Sequence, residues 1–390
     1  MSEAMHASII IVGGGPVGAT LALLLAQKGV ASTVLEARKK GTAHSESRAL
    51  ALSFGSRKIL EKLGVWAALA THVTAINTIH VSQKGSVGRS ILRACDYKLE
   101  ALGYVVSYGA LSAALDEELA KTTAVNFVFE ASAEAITYSS NNATVTYRQH
   151  ESSQSLSSAL VVLADGGRGL DEIAGMTKET KEYGHDALIS KVSAELPHHN
   201  IAYERFTAHG PMALLPNGAR DFSLVWTGKK EYVAKLLSLT DEEFLAQFHA
   251  EFGDRVGRFV SVTKRMTFPL KLSQLKTTDT PHLVVIGNAA QTMHPVAGQG
   301  FNVGLRDAES LAKCIASCSP ELLGDEKMLA DYRASRQTDT KNGLLFTDFL
   351  VNVFSNDIVG VSGIRSVGLG AFDLLKPFKA HLVSKMSFGK

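Results

Sequence analysis

Gly13, Gly15 and Gly18 stand in a G-x-G-x-x-G spacing that can bring backbone N–H groups against a pyrophosphate. The glycines allow a tight turn and a close approach, and the ligand's charge meets the N-terminus of the following helix. Glu36 lies 23 residues after Gly13, where a carboxylate ending a second strand can accept from an adenosine ribose hydroxyl. A glycine-rich turn beside a surface glutamate is the bland alternative. NAD and FAD would satisfy this motif equally.

A second cluster narrows the choice. Val284-Val-Ile-Gly287-Asn288-Ala-Ala290 precedes His294-Pro295-Val-Ala-Gly298-Gln299-Gly300-Phe-Asn302, and Asp307 follows. This reads as a strand, a turn with a polar side chain at its tip, and a glycine-rich approach to a second helix. A helix N-terminus there favours negative charge, as on a reduced flavin ring near N1 and its C2 carbonyl, and so favours FAD. A loop packed for structure alone is the less economical reading of two glycines flanking Gln299. Between the clusters, Val161-Val-Leu-Ala164-Asp165-Gly166 is by itself a strand and a turn signal.

The elements that must position these residues can be read from their patterns. Ser8–Val12 is a buried parallel strand, Pro16 opens a helix that stops at Gly29, and Ser32–Leu35 is the next strand. Helices are expected over Ser56–Leu63, Leu111–Lys121 and Asp241–Phe252, the last opened by a capping box at Thr240 and Glu243. Hairpins fill Ala133–Leu163. Strand-like pieces at Thr78–Ser82, Ala187–Val192, Ile201–Phe206, Phe222–Trp226 and Val260–Phe268 point to a sheet-rich second domain, and Leu283–Ile286 returns to the buried type. The fold class is α/β. A discontinuous Rossmann-like FAD-binding domain takes 1–75, 105–180 and 275–325; an inserted sheet-rich substrate domain takes 76–104 and 181–274; a helical extension takes 326–390.

Bulk properties agree. The 390 residues suffice for two domains, and 45% hydrophobic with 20% charged residues is a globular mixture. A net charge of +2 without a dense basic run excludes nucleic acid as a natural partner. Cys95, Cys314 and Cys318 make no disulfide framework and fit a reducing cytosol. The uncharged run Ala7–Ala26 has the length of a membrane span, but Gly13 to Pro16 break it, and no basic signal start precedes it.

In this order the three motifs resemble, over nearly the whole chain, the aromatic-ring flavoprotein monooxygenases built like para-hydroxybenzoate hydroxylase. The likeness is closest to the ubiquinone-biosynthesis hydroxylases, and within them to those acting on 2-polyprenyl-6-methoxyphenol. Gly287–Pro295, Ala297–Asn302, Glu204–Pro216 and Ser47–Ala51 carry it. The resemblance implies that Gly13, Gly15 and Gly18 cradle the FAD pyrophosphate, Glu36 holds the ribose and Arg48 reaches the cofactor's middle. It implies that Asp165 joins the cofactor site and that Asn288 bonds the ribityl chain. Gly298, Gln299, Gly300 and Asn302 would face the isoalloxazine, with Pro295 in the wall where ring and substrate meet. His209 is set on the substrate side; His209 and His294 are candidate bases, and the catalytic residue stays open.

In that family NAD(P)H reduces the flavin, O2 adds at C4a, and the terminal oxygen attacks an electron-rich ring. A single G-x-G-x-x-G implies that NAD(P)H visits without a Rossmann domain of its own. Four sites depart from the family pattern: Asn288 replaces Asp, Gln291 replaces His, Gly169 and Glu172 stand where Ser and Arg are common, and an arginine is missing near Tyr108. A polyprenylated substrate implies an apolar passage or a membrane contact. Gly343–Leu350 is apolar, and Leu374, Leu375, Phe378 and Leu382 share helical spacing near Lys376, Lys379 and Lys385. That segment reads either as a contact with the membrane or a ubiquinone-biosynthesis complex, or as a helix packed on the domain. The expected location is cytoplasmic, with peripheral attachment at the inner membrane as its extension. Hydroxylation at another ring position or of an unrelated phenol, and a flavin-binding subunit without turnover, are the alternatives. A flavin halogenase is disfavoured, because Trp66 and Trp226 stand alone.

Overall fold

The computed structural model describes residues 5–85, 88–167, 173, 176–278, 280–292 and 299–337, with 379–380, 383–385 and 387 near the C-terminus. The chain opens with β1 (Met5–Val12), α1 (Pro16–Ala26) and β2 (Ser32–Glu36). Ile9, Ile10 and Ile11 are all fully buried, as a strand covered on both faces requires. Next come β3 (Ala49–Ser53), α2 (Phe54–Lys62), α3 (Val65–Leu69), β4 (Thr74–Ile76), β5 (Thr78–Gln83), β6 (Arg89–Arg93), β7 (Gly103–Ser107) and α4 (Tyr108–Leu119). The Ser53 and Ser107 hydroxyls accept from the N–H groups of Ser56 and Ala110, so β3 and β7 pass straight into capped helices.

β8 (Val125–Phe129), β9 (Ala131–Tyr138), β10 (Ala143–Gln149) and β11 (Ser152–Leu163) complete the first half. The second half holds β12 (Met176–Ala194), β13 (Ile201–Thr207), β14 (Gly210–Pro216), β15 (Asp221–Lys229), α5 (Lys230–Ser238), α6 (Asp241–Phe252), β16 (Phe259–Val262) and β17 (Met266–Thr278). β18 (Leu283–Val285), β19 (Gln291–Thr292), α7 (Gln299–Ser317) and a helix over 326–337, here α8, follow.

The first sheet runs β8–β2–β1–β11–β10–β9, and β18 pairs with β11. Its parallel core puts four strand ends at one edge: Val12 pairs with Leu35 and Leu163, and Leu163 pairs with Val285. The glycine loop, Glu36, Asp165 and Asn288 all leave that edge, where ligands of open α/β sheets bind. Sequence-distant motifs meet through strand register.

The second sheet runs β19–β17–β12–β15–β14–β13–β5–β6, with β16 beside β12. One face packs Phe222, Leu224 and Trp226 against Phe244, Phe248 and Phe252 of α6. The capping box is present, with Thr240 and Glu243 bonding each other's N–H at 2.9 and 3.2 Å. A small sheet, β3–β7–β4, lies between the two large ones. β12 and β17 pair from Met176 with Thr278 to Ile189 with Met266. The domain boundaries expected at 180/181 and 274/275 therefore fall inside continuous strands. These two strands are the arm that joins the domains.

The described part of the C-terminal segment packs on the second domain. Lys379 donates to the Ile91 carbonyl at 2.7 Å, and Val383 is buried with Leu92, Ala94 and Leu102. Gly343–Leu350, and Leu374, Leu375, Lys376, Phe378 and Leu382, lie outside the described residues.

Candidate active site

The glycine loop is built by close contact. Gly13 holds φ 101°, and a Cβ there would lie 2.7 Å from the Ala164 carbonyl oxygen. A Cβ on Gly18 would lie 2.0 Å from the Gly13 carbonyl oxygen, so α1 backs tightly onto its own loop. Gly15 is the N-cap of α1 and offers no capping side chain. Among the described residues, a Cβ on it would meet only the Tyr108 hydroxyl, at 3.3 Å. The first-turn N–H groups of α1 are thereby left to an anionic ligand.

Glu36 accepts from the Gly14 N–H at 2.8 Å and from the backbone N–H and Nε of Arg38 at 2.9 and 2.8 Å. Burial pushes this carboxyl up, but the bonds and charge of Arg38 with the Gly14 N–H outweigh it, and the net shift is downward. It lines a cleft with Ala19, Arg38, Ser112 and Phe127. Open N–H donors, an ionised carboxylate and an apolar wall fit an adenosine diphosphate. Since the folded Glu36 value lies below its ordinary 4.5, its contribution is complete above 4.5 and is lost as pH falls through the depressed value. An FAD held here should therefore leave on acidification below 4.5. Glu36→Gln should bind it about tenfold more weakly at neutral pH and lose that acid step. Flavin fluorescence release against pH checks both.

The C-terminal cluster closes the site from behind. Gly287 holds φ 64° and donates to Asp307 Oδ2 at 3.1 Å, and Asp307 Oδ1 accepts from Arg336 Nε at 2.7 Å. Asp307 on α7 thus fixes the Asn288 turn and is itself fixed by α8. A Cβ on Gly300 would lie 3.6 Å from Asn288 Oδ1, so the turn faces the start of α7. Asp165 Oδ1 accepts from the Gly167 N–H at 2.8 Å, ordering a loop in which a Cβ on Gly167 would approach the Asn288 carbonyl at 3.4 Å. Asp165, Asn288 and the first turn of α7 are brought together. Pro295, Gly298 and His294, like Gly169 and Glu172, lie outside the described residues.

Asn302 is a correction. Its side chain is 2% exposed and does not face a ring site: Oδ1 accepts from the Ser53 N–H and the Ser56 hydroxyl at 2.7 Å, and Nδ2 donates to Ala51 at 2.8 Å. Two helical positions turn about 200°, so Gly300 and Asn302 cannot share a face. The amide ties α7 to β3 and α2.

His209 is a second correction. It stands exposed in the β13–β14 hairpin, its ring 4.1 Å from that of Tyr232 on α5. Tyr232 packs against Trp226, on the sheet face turned toward α5 and α6. His209 is not on the side that meets the first domain.

Tyr108 was singled out by its sequence only as a departure. Arg48, just before β3, holds its guanidinium 4.8 Å from the Tyr108 ring, and that of Arg38 lies 6.0 Å from it. The Tyr108 hydroxyl reaches Gly15. Two arginines on an aromatic ring thus bring positive charge beside Gly15 at the start of α1, in the stretch where the resemblance implies a further arginine.

The opposite face of the second sheet fronts this site. Across it Met266, Ile189, Val225, Ala213, Glu204 and Val81 stand in directly paired register. On the same face Ala202 and Leu215 pack with Ile76, Val105 and Ala49 of the small sheet. That sheet's β3 is bonded to Asn302 at the start of α7. The row is about 24 Å long at ordinary strand spacing. It is half-buried and apolar apart from Glu204, with Met266 43% exposed at its end.

Comparison with known proteins agrees with this architecture. The FAD binding domain family matches residues 6–343. Ubiquinone hydroxylase UbiL of Rhodospirillum rubrum is 34% identical over 380 residues, 96% of this chain and 87% of that one. The 3-demethoxyubiquinol 3-hydroxylase of Escherichia coli is 28% identical over 378 residues, 93% and 94% of the two chains. Among solved structures, p-nitrophenol 4-monooxygenase PnpA of Pseudomonas putida superposes with a TM-score of 0.81 at 15% identity, covering 98% of this chain and 99% of that one. The fold is that of the para-hydroxybenzoate hydroxylase-like flavoproteins.

Proposed function

The chain belongs to the FAD binding domain family, and from that premise we propose that it hydroxylates 2-polyprenyl-6-methoxyphenol to the 1,4-benzoquinol in ubiquinone biosynthesis. Bound FAD, with NAD(P)H and O2 as co-substrates, supplies the electrophilic oxygen. Gly13, Gly15, Gly18 and Glu36 would hold its adenosine end, and Arg48 would reach its middle. Asp165 and Asn288 would set the turn at the ribityl chain, and Gln299 and Gly300 would open the helix that meets the ring. Gly298 and Pro295 complete that wall on sequence grounds.

The observation that carries the substrate class is the apolar row from Ala213 through Val225 and Ile189 to Met266. It offers a prenyl tail an apolar track that ends at the surface, at the 43% exposed Met266. The likeness to a ubiquinone hydroxylase of Rhodospirillum and a 3-demethoxyubiquinol 3-hydroxylase of Escherichia supports a ubiquinone precursor. Among the described residues no helix is long and apolar enough to cross a membrane. A substrate dissolved in lipid therefore calls for work at the membrane surface, so we place the chain in the cytoplasm, peripherally at the inner membrane.

Val225→Asp places a charge on the track and is expected to raise KM for a polyprenylated phenol by about tenfold or more. A phenol with no tail should be little affected, and steady-state kinetics on both separates the cases. Deleting the gene should accumulate 2-polyprenyl-6-methoxyphenol, and an intact ubiquinone pool contradicts the assignment. The name of the Escherichia relative favours a second reading, hydroxylation at another ring position, under which a different precursor accumulates.

A further inference from the structure

Glu204 is the one carboxyl in the apolar row, and the reaction proposed above leaves its phenol proton without an acceptor. The Glu204 side chain makes no hydrogen bond or ion pair with a described residue. Across the strands it is flanked by Ala213 and Val81. Along its own strand and face lie Ala202 and Phe206, both buried.

Charged groups are turned elsewhere. Arg205, on the opposite face, donates to the Glu251 carbonyl at 2.8 Å, and His80 lies against Tyr203 on that same side. On Glu204's own face Lys191 is paired with Asp221 at 2.7 Å, and His185 pairs with Lys229 at the end of β15, four residues along from the Ile189–Val225 pair. None of these acts on Glu204, whose acidity is altered by burial alone. An unpartnered carboxyl on an apolar face costs folding energy without return. It persists where a ligand supplies the partner.

We propose that Glu204 is the acid–base residue of this hydroxylase, accepting the phenol proton as the ring is oxygenated. The inference rests on the phenol reading above. The phenolic O–H bond breaks, a new O–H bond forms on the Glu204 carboxylate, and the electron pair stays on the ring oxygen. That pair raises electron density at the para carbon, which bonds to the electrophilic oxygen supplied by the cofactor with O2. As the para C–H proton leaves to water, the Glu204 proton returns to the ring oxygen and aromaticity is restored. Burial pushes the Glu204 carboxyl up to about 8. A carboxylate of that strength is a far better match to a phenol, near 10, than an ordinary one.

The test uses FAD-loaded enzyme and its Glu204→Gln and Glu204→Asp variants. Wild-type kcat/KM should rise with pH to a plateau through about 8. Glu204→Gln should keep its FAD, lose that inflection and lower kcat by about 100-fold or more, with Glu204→Asp intermediate. A second readout needs no turnover: the affinity of 2-polyprenyl-6-methoxyphenol for the oxidised holoenzyme, read from the flavin spectrum. It should tighten through about 8 in the wild type and stay flat in Glu204→Gln. A Gln variant with wild-type kcat and both inflections retained overturns the proposal. Wild-type enzyme that binds this phenol with the inflection but does not hydroxylate it defeats the substrate reading and leaves Glu204 as the group facing the phenol.

Discussion

Gly18→Ala is expected to yield a chain that purifies almost free of FAD. The added Cβ would lie 2.0 Å from the Gly13 carbonyl oxygen and 3.3 Å from Ile11 Cγ2. The first of these is backbone, so no side-chain rotation relieves it. Gly13 cannot retreat, because its own open side already lies against Ala164 and Asp165. Either α1 slides off β1, or the loop opens and its N–H groups lose the pyrophosphate. Overpacking of this kind costs about 1–3 kcal/mol, which is roughly a 10- to 100-fold weaker hold on the cofactor if the strain falls on the loop. The flavin-to-protein absorbance ratio of the purified variant reads the loss. A near-stoichiometric ratio would show that the loop is not where FAD binds.

Arg336→Met is expected to be the most destabilising single change at the back of the site. It leaves Asp307 buried without its cation, and removing one partner of a buried pair costs about 3–5 kcal/mol. The damage should reach the cofactor, because Asp307 also accepts from Gly287 and so holds the Asn288 turn. The double variant Asp307→Asn with Arg336→Met removes both charges while leaving an acceptor for Gly287. It should recover much of the lost stability in denaturant titrations of the FAD-free protein. If single and double variants fall equally, the charge pair is not what matters there.

Much of this was legible in the sequence where the signal is local. The glycine loop is a spacing, the Thr240–Glu243 box a pair of residues three apart, and β1 a run of isoleucines that only a covered strand accommodates. What escaped depends on distant partners. Gly210–Pro216 does not read as a strand, with Pro211 and Pro216 in it, yet it pairs on both sides. Lys230–Ser238 is a short helix whose apolar side shows only against Trp226 and its neighbours.

Glu204 is the clearest case. Its stretch carried the resemblance, but a glutamate in a strand reads as a solvated side chain. Its real surroundings are set by β13 pairing parallel to β5, which puts Glu204 beside Val81. Nothing local encodes that. The errors have the same origin. A motif read as a string put Asn302 beside Gly300, and only helical rotation separates them. His209 followed from its residue type, whereas the hairpin turns it toward α5.

We propose that FAD on this fold inserts an atom of molecular oxygen into a polyprenylated phenol. The most direct test is a single reaction of the FAD-loaded enzyme with NAD(P)H, 2-polyprenyl-6-methoxyphenol and isotopically labelled O2, followed by mass spectrometry of the product. The expected product is the 1,4-benzoquinol, with the label in its new hydroxyl. No product, or a hydroxyl whose oxygen comes from water, would contradict it.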